Sequence, residues 1–300
     1  MKVLRLTLAL GVVSLASTSH LQAWHADGHR ITTFDAITLL SEELPKFLQD
    51  GRDQMAWDSI DPDLMRNRSL PQLRDRESPD HYLDLELLQG EELPDMRSGF
   101  LEHIASQEVG TGVDVVGALP FAVVEAAQRL TLAFAQVRHQ PANEHLQAKA
   151  MLYAAQLAHY AEDLCQPLHT TIHHDGRALQ DLSSPYTGIH QKVDALIGRL
   201  EPQHEIKGEQ VMPQVLKPIF PAVVAELDRS HAEVDRVYEL EGDLVPLEGD
   251  GEPSARLRAW TRERYRASVL FTSSLILTAW RESADLQIPE WGLPEQSPTD

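Results

Sequence analysis

His159 and Asp163 stand four residues apart in the segment 159–169, which ends on His169. On a helix such a pair leaves from one face, a turn apart. An imidazole nitrogen and a carboxylate oxygen placed that way can grip one cation. The same spacing returns at His190 and Asp194. One such pair by itself is often an ordinary surface hydrogen bond. Two pairs with His169 between them point instead to a metal site inside a helical bundle, where ligands of this kind project inward.

Composition narrows the metal chemistry. The chain of 300 residues has 14 histidines and a single cysteine. That excludes an internal disulfide framework, a cysteine zinc finger and a cysteine-ligated iron–sulfur cluster. Any metal site must be built from His, Asp and Glu, and Cys165 is expected as a buried structural thiol. The first 23 residues read as a secretory signal peptide. Lys2 and Arg5 precede the apolar run 6–16, and Ala23 offers a small residue at the exit. Loss of Lys2 and Arg5 with that leader moves the net charge from −20 to −22. A basic surface for coating duplex DNA is therefore not expected. No later apolar run reaches membrane-spanning length, so the mature protein is expected to be exported, periplasmic or extracellular, without a transmembrane segment.

Cleavage after Ala23 would make Trp24 the first residue. Its free α-amine and carbonyl oxygen could chelate a metal as a five-membered ring, with His29 as a further ligand. Another cluster lies at 78–84, where His81 is followed by Tyr82 and Asp84. Together these segments resemble the superfamily that joins bacterial zinc-dependent phospholipase C with the single-strand-specific zinc nucleases of fungi and plants. The resemblance runs in order from Trp24 to Asp194. Trp24 and His29 match its N-terminal Trp and His at the nuclease-type spacing. His81, Tyr82 and Asp84 match a His-aromatic-x-Asp motif. His159, Asp163 and His169 match the central motif, including the approach through Gln166, Pro167 and Leu168. His190 and Asp194 match the last pair.

The resemblance implies three zinc ions per chain. Asp63, His81, His159 and Asp163 would hold one. His169, His190 and Asp194 would hold a second, and Trp24, His29 and the bridging Asp163 a third. Asp58, Asp61 and Asp63 compete for the upstream carboxylate. Asp63 is chosen because nuclease relatives carry a basic residue three positions after the ligand, where Arg66 stands; Asp61 is the fallback. The chain departs from the nuclease pattern after His169. Segment 170–177 lacks the Gly-Gly-Asn triplet that helps build a nucleobase pocket, and the surroundings of His190 look closer to the phospholipase branch. His173 and His174 are expected as loop histidines near the mouth.

The elements that must position these residues are helical. Apolar residues at mainly helical spacings mark helices within 31–48, 101–140 (interrupted near 110–112 and at Pro120), 142–164, 188–200, 213–240 and 254–284. Alternating strand patterns are absent. Loops are expected at 50–79, 173–185 and 241–253, with a Pro-containing tail at 289–300. No repeat or long linker divides the chain, so 24–288 reads as one all-α domain, a multi-helix bundle, expected as a monomer.

The ligand set implies a reaction class: in-line hydrolysis of a phosphoester by zinc-activated water. Asp63 and Arg66 form the candidate catalytic pair, with Arg66 neutralising charge on the phosphate oxygens. Tyr82 is either a stacking face for a base or a packed core aromatic. The substrate leans towards single-stranded nucleic acid or nucleotides. Phospholipid head groups are the rival, and an exported zinc-binding protein without turnover is a further alternative.

Overall fold

The computed structural model describes residues 26–40, 42–106, 112–200, 212–244, 246, 252–289 and 291. Among them it is an all-α structure with no strand, only two isolated bridges. Segments 1–23 and 292–300, and Trp24, lie outside the described residues.

Three long helices form the centre. α8 (Leu119–His139) and α9 (Glu144–Leu164) are joined by four residues and pack along each other as a hairpin. α14 (Ala255–Glu282) lies against both and against α1 (Ala26–Leu39). Sequence explains α9 directly. The Asn143 side chain accepts from the backbone N–H groups of His145 and Leu146, capping the first turn. An Ala- and Leu-rich run follows, and Leu146, Ala150, Ala154, Leu157, Ala161 and Leu164 supply the buried stripe. The helix ends where Pro167 disfavours helical backbone at Gln166. The chain then tightens into a 3-10 turn, Pro167–His169, that presents His169.

The predicted boundaries needed correction around proline. The single helix expected within 31–48 is two: α1 stops at Leu39, and α2 (Lys46–Asp50) starts after Pro45. The expected loop 50–79 instead holds α3 (Arg52–Asp58), α4 (Asp61–Met65) and α5 (Pro71–Glu77). Pro62 and Pro71 sit in first turns, where the missing N–H costs nothing, so they start helices rather than prevent them. Pro120 likewise begins α8; upstream stand α6 (Arg97–Ser106) and α7 (Val113–Val116). The 188–200 span divides into α10 (Ile189–Asp194) and α11 (Leu196–Leu200). The 213–240 span divides into α12 (Ile219–His231) and α13 (Val234–Glu239). The loop at 173–185 is helix-free as expected, and Cys165 is buried, its thiol directed at Glu226 Oε1 at 3.7 Å.

Two packing features carry the fold to the site. Ile189 and Val193 of α10 join an apolar cluster with Leu168, Val237, Leu257 and Trp260, which fixes α10 beside the turn bearing His169. On the other side, segment 116–119 docks on the strand-like stretch after His81. Asp84 N donates to Val116 O (2.8 Å), Ala118 N to Pro79 O (2.7 Å) and Leu119 N to Tyr82 O (3.1 Å). Gly117 makes that approach possible. Its φ is +85°, and a Cβ there would lie 2.0 Å from the Tyr82 carbonyl oxygen. Gly117→Ala is therefore expected to cost about 3 kcal/mol or more, combining left-handed strain with overpacking against backbone. Gly90→Ala is the control. Its φ is +82° but nothing lies within 4 Å, so only the conformational penalty of about 1–2 kcal/mol applies. Urea unfolding of the two variants should separate these values.

Candidate metal centre

The fold brings the predicted residues together from six elements. α9 supplies His159 and Asp163, α1 supplies His29 and α4 supplies Asp63. His81 ends the 3-10 turn Ser78–His81, and α10 carries His190 and Asp194 next to His169. Asp163 is the hub, fully buried. Its Oδ2 lies 3.0 Å from His81 Nδ1 and 3.4 Å from His159 Nε2; its Oδ1 lies 3.5 Å from His29 Nε2 and 3.7 Å from His169 Nδ1. Asp63 Oδ1 is 3.8 Å from His81 Nδ1 and accepts from the Arg66 guanidinium at 3.1 Å. His190 Nε2 and Asp194 Oδ2 are 3.1 Å apart.

Three groups have ligand atoms within 4.8 Å of one another: His29, Asp63 and His159; His81, His159 and Asp163; His169, His190 and Asp194. The last is the predicted second set unchanged. The first two redistribute the predicted sets, with Asp63 falling beside His29 and His159. Asp61 enters none of the groups. Trp24 lies outside the described residues, so its proposed chelation is not part of this geometry.

Hydrogen bonds set the tautomers. His159 Nδ1 meets the Ser59 carbonyl at 2.7 Å, His169 Nδ1 the His81 carbonyl at 2.6 Å, and His190 Nδ1 the His174 carbonyl at 3.1 Å. A carbonyl oxygen can only accept, so each Nδ1 donates and each Nε2 is turned to the cluster, where that of His159 lies 3.1 Å from His81 Nδ1. His29 Nδ1 likewise donates to the Glu162 carboxylate, at 2.7 Å, and turns its Nε2 towards Asp163. Gln166 Nε2 donates to Asp194 Oδ1 at 2.6 Å. His81 is reversed: its Nδ1 faces Asp163, and its Nε2 lies 3.8 Å from Glu77 Oε1.

What remains inside the cluster is unpartnered. His29 Nε2, His169 Nε2, Asp163 Oδ1 and Asp194 Oδ2 are buried without a hydrogen bond. Burying such groups unsatisfied is costly, and a cation between them removes the cost. Outer hydrogen bonds that orient ligating imidazoles are the usual companions of a metal. No protein-family model matches the chain, and no curated protein matches it. The geometry stands on its own: His/Asp clusters able to hold metal ions, with oriented rings and converging lone pairs.

Ionisation in the metal-free protein follows the same crowding. Burial works against a charged His29, but the Asp163 and Glu162 carboxylates outweigh it and raise the ring to about 10. Burial, aided by the Arg66 charge, pulls His81 down to about 4. Asp163 stays well below the usual carboxylate range, since the His169 and His159 rings overcome its burial.

The centre opens into a cavity of about 820 Å³. Arg66, Tyr82, His169 and His190 line it, together with Arg74 and Tyr186. Tyr82 is thus a half-buried wall of the cavity, its hydroxyl donating to Asp114 O at 2.6 Å, rather than a core residue. His174 lines the cavity as well, whereas His173 accepts from Ala178 N and faces a separate small pocket with Glu86 and His231. Sequence reading missed Glu162 and the carbonyls of Ser59, His81 and His174 as supports. The one signal the sequence offered for Glu162 was a carboxylate next to the predicted ligand Asp163 in an otherwise apolar helical run.

Asp84, known from sequence only as part of a motif, proves to be a buried cavity residue. Burial first, and then the Glu86 charge, lift its carboxyl to about 7. A carboxyl raised in the folded state favours folding fully below its unfolded value and loses that contribution as pH climbs to the folded value. In the metal-free protein, Asp84→Asn should therefore add stability at pH 8, by up to about 4 kcal/mol for a three-unit shift. The gain should vanish near pH 4. Denaturant unfolding across that range checks the sign.

Proposed function

We propose that the chain is an exported zinc-dependent phosphodiester hydrolase acting on single-stranded nucleic acid or nucleotides. The observation that carries it is the convergence of unpartnered buried Nε2 and carboxylate oxygens on three groups opening into one cavity. The donors fit zinc: five imidazoles and three carboxylates, no thiol, in groups of three that leave room for a further ligand. His29, Asp63, His81, His159 and Asp163 would hold ions on one side, with Trp24 as the resemblance to the phospholipase C and nuclease superfamily implies. His169, His190 and Asp194 would hold one on the other. When bound, zinc acts as a Lewis acid and brings the pKa of a water ligand down to about 7.

The chain's own residues supply the rest. Arg66 is fixed at the cavity wall by Asp63, so its guanidinium is already oriented to meet charge on equatorial phosphate oxygens. Arg74 also lines the cavity, and its guanidinium has no ion pair or hydrogen bond among the described residues, leaving a second cation for a neighbouring phosphate. Tyr82 and Tyr186 offer flat faces in the same cavity, as stacked bases require. With an overall charge of −20, attraction of a polyanion is local to this cleft. Among the described residues no helix is long and apolar enough to cross a membrane.

One observation favours the phospholipid alternative: Leu70 and Leu73, 51 % and 40 % exposed, flank Pro71 at the mouth. The test uses protein beginning at Trp24, offered single-stranded DNA or phosphatidylcholine vesicles, each with and without chelator. Chelator-sensitive cleavage of DNA alone is the expected result. Release of phosphocholine alone moves the protein to the lipid branch. Neither activity, with zinc bound, would support a zinc-binding protein without turnover and overturn the proposal.

A further inference from the structure

Glu162 precedes the hub Asp163 on α9, so its side chain leaves the helix about 100° away from the ligands. It points at α1. Its Oε2 lies 2.7 Å from His29 Nδ1, and its Oε1 accepts from the Thr33 hydroxyl at 2.8 Å. His29 and Thr33 are one turn apart on α1, so a single carboxylate clamps one face of that helix at two points. The carboxylate is 1 % exposed, and both partners are buried.

The clamp orients a ring that stands near a helix end. His29 belongs to the first turn of α1, the part of a helix that frays most readily. Its ring lies stacked on His159, centroids 4.1 Å apart and planes 24° apart. Its Nε2 faces Asp163 Oδ1 at 3.5 Å without a hydrogen bond. The other Nδ1-supported rings, His159, His169 and His190, give their protons to neutral backbone carbonyls. His29 gives its proton to a carboxylate. An anionic acceptor makes an imidazole a stronger donor at its other nitrogen and adds negative charge near the ion that nitrogen would hold.

We propose that Glu162 is a positioning residue that selectively sets the affinity of the metal group built on His29. This rests on the metal-centre reading above and assigns a role to a residue outside all three ligand groups. The consequence is asymmetric. Removing the Glu162 charge should weaken one ion of three and leave the group of His169, His190 and Asp194 untouched, since the bonds of Glu162 to His29 and Thr33 both lead to α1.

Glu162→Gln keeps the shape and the capacity to accept from His29 and to meet Thr33. Graded chelator competition, read as zinc released per chain, is the measurement. One zinc should leave at a chelator strength about 10–100-fold weaker than in the unsubstituted protein, with the remaining ions held as before. Thr33→Val, which removes one of the two ties, should shift the same ion by a smaller factor. ¹⁵N spectra of the His29 ring in the zinc-loaded protein should show a weakened Nδ1–H hydrogen bond in Glu162→Gln, with the tautomer kept.

An unchanged release profile in Glu162→Gln would overturn the proposal. So would equal loss of all ions together with lower stability of the metal-free protein, the behaviour of a plain α1–α9 strut. If Glu162→Gln fails to fold, Thr33→Val decides by the same criterion. An unsubstituted protein that binds no zinc would instead refute the metal-centre reading itself, which separates the two failures.

Discussion

Asp163→Ala is expected to remove at least one zinc and to lower phosphodiester hydrolysis about a thousand-fold or more. Loss of a metal's several kcal/mol of transition-state stabilisation implies a fall of that size. The carboxylate lies within 3.0–3.7 Å of four imidazoles, so no neighbour can take its place. Stability should suffer too. Taking one partner from a buried ion pair costs about 3–5 kcal/mol, because the charge left behind has no solvent.

The pH dependence of that loss has a definite sign in the metal-free protein. Asp163 is depressed in the folded state, so its contribution is present above the ordinary carboxylate range and fails only in strong acid. His29 is raised to about 10, so its contribution is full below the ordinary histidine value and disappears as pH passes 10. The stability difference between Asp163→Ala and the unsubstituted protein should therefore plateau between about pH 4 and 6.5 and shrink towards pH 10. Equilibrium unfolding in chelator at several pH values measures it.

His169→Ala tests the other side of the centre and should separate chemistry from fold. The ring makes one supporting bond, to the His81 carbonyl, and otherwise faces the cavity. Its removal should cost about 1 kcal/mol of metal-free stability and leave the helical circular-dichroism signal unchanged. One zinc should be lost, and hydrolysis should fall by about a hundred-fold or more. Activity that survives this substitution would show that His169, His190 and Asp194 are not part of the reaction centre.

The ligand residues were legible because helix periodicity is a local property. His159 with Asp163, and His190 with Asp194, need only their four-residue spacing to share a face. The carbonyls that orient them were not legible, since every residue carries one and only tertiary structure selects Ser59, His81 and His174. Glu162 was hidden for a related reason: its spacing separates it from the ligands, and its partner His29 is 133 residues away. Segment 50–79 was misread as loop because its prolines stand at helix starts, and sequence alone weighs proline mostly as a breaker. The choice of Asp63 over Asp61 drew on Arg66, and the structure joins those two in an ion pair. The all-α class and the long helices α9 and α14 followed from apolar periodicity and the absence of alternating strand patterns. The substrate did not, because cavity walls come from α5, from Tyr82 and from the loop reaching Tyr186, segments with no shared local pattern.

The central claim is that these histidines and aspartates hold zinc. X-ray absorption at the zinc edge, on protein beginning at Trp24 and quantified for metal, tests it most directly. The account predicts about three zinc ions per chain in a shell of nitrogen and oxygen alone, at roughly 2.0–2.2 Å. Protein that purifies and reloads without zinc would contradict it. So would a sulfur shell, which would bring the buried Cys165 into a site where this structure has no place for it.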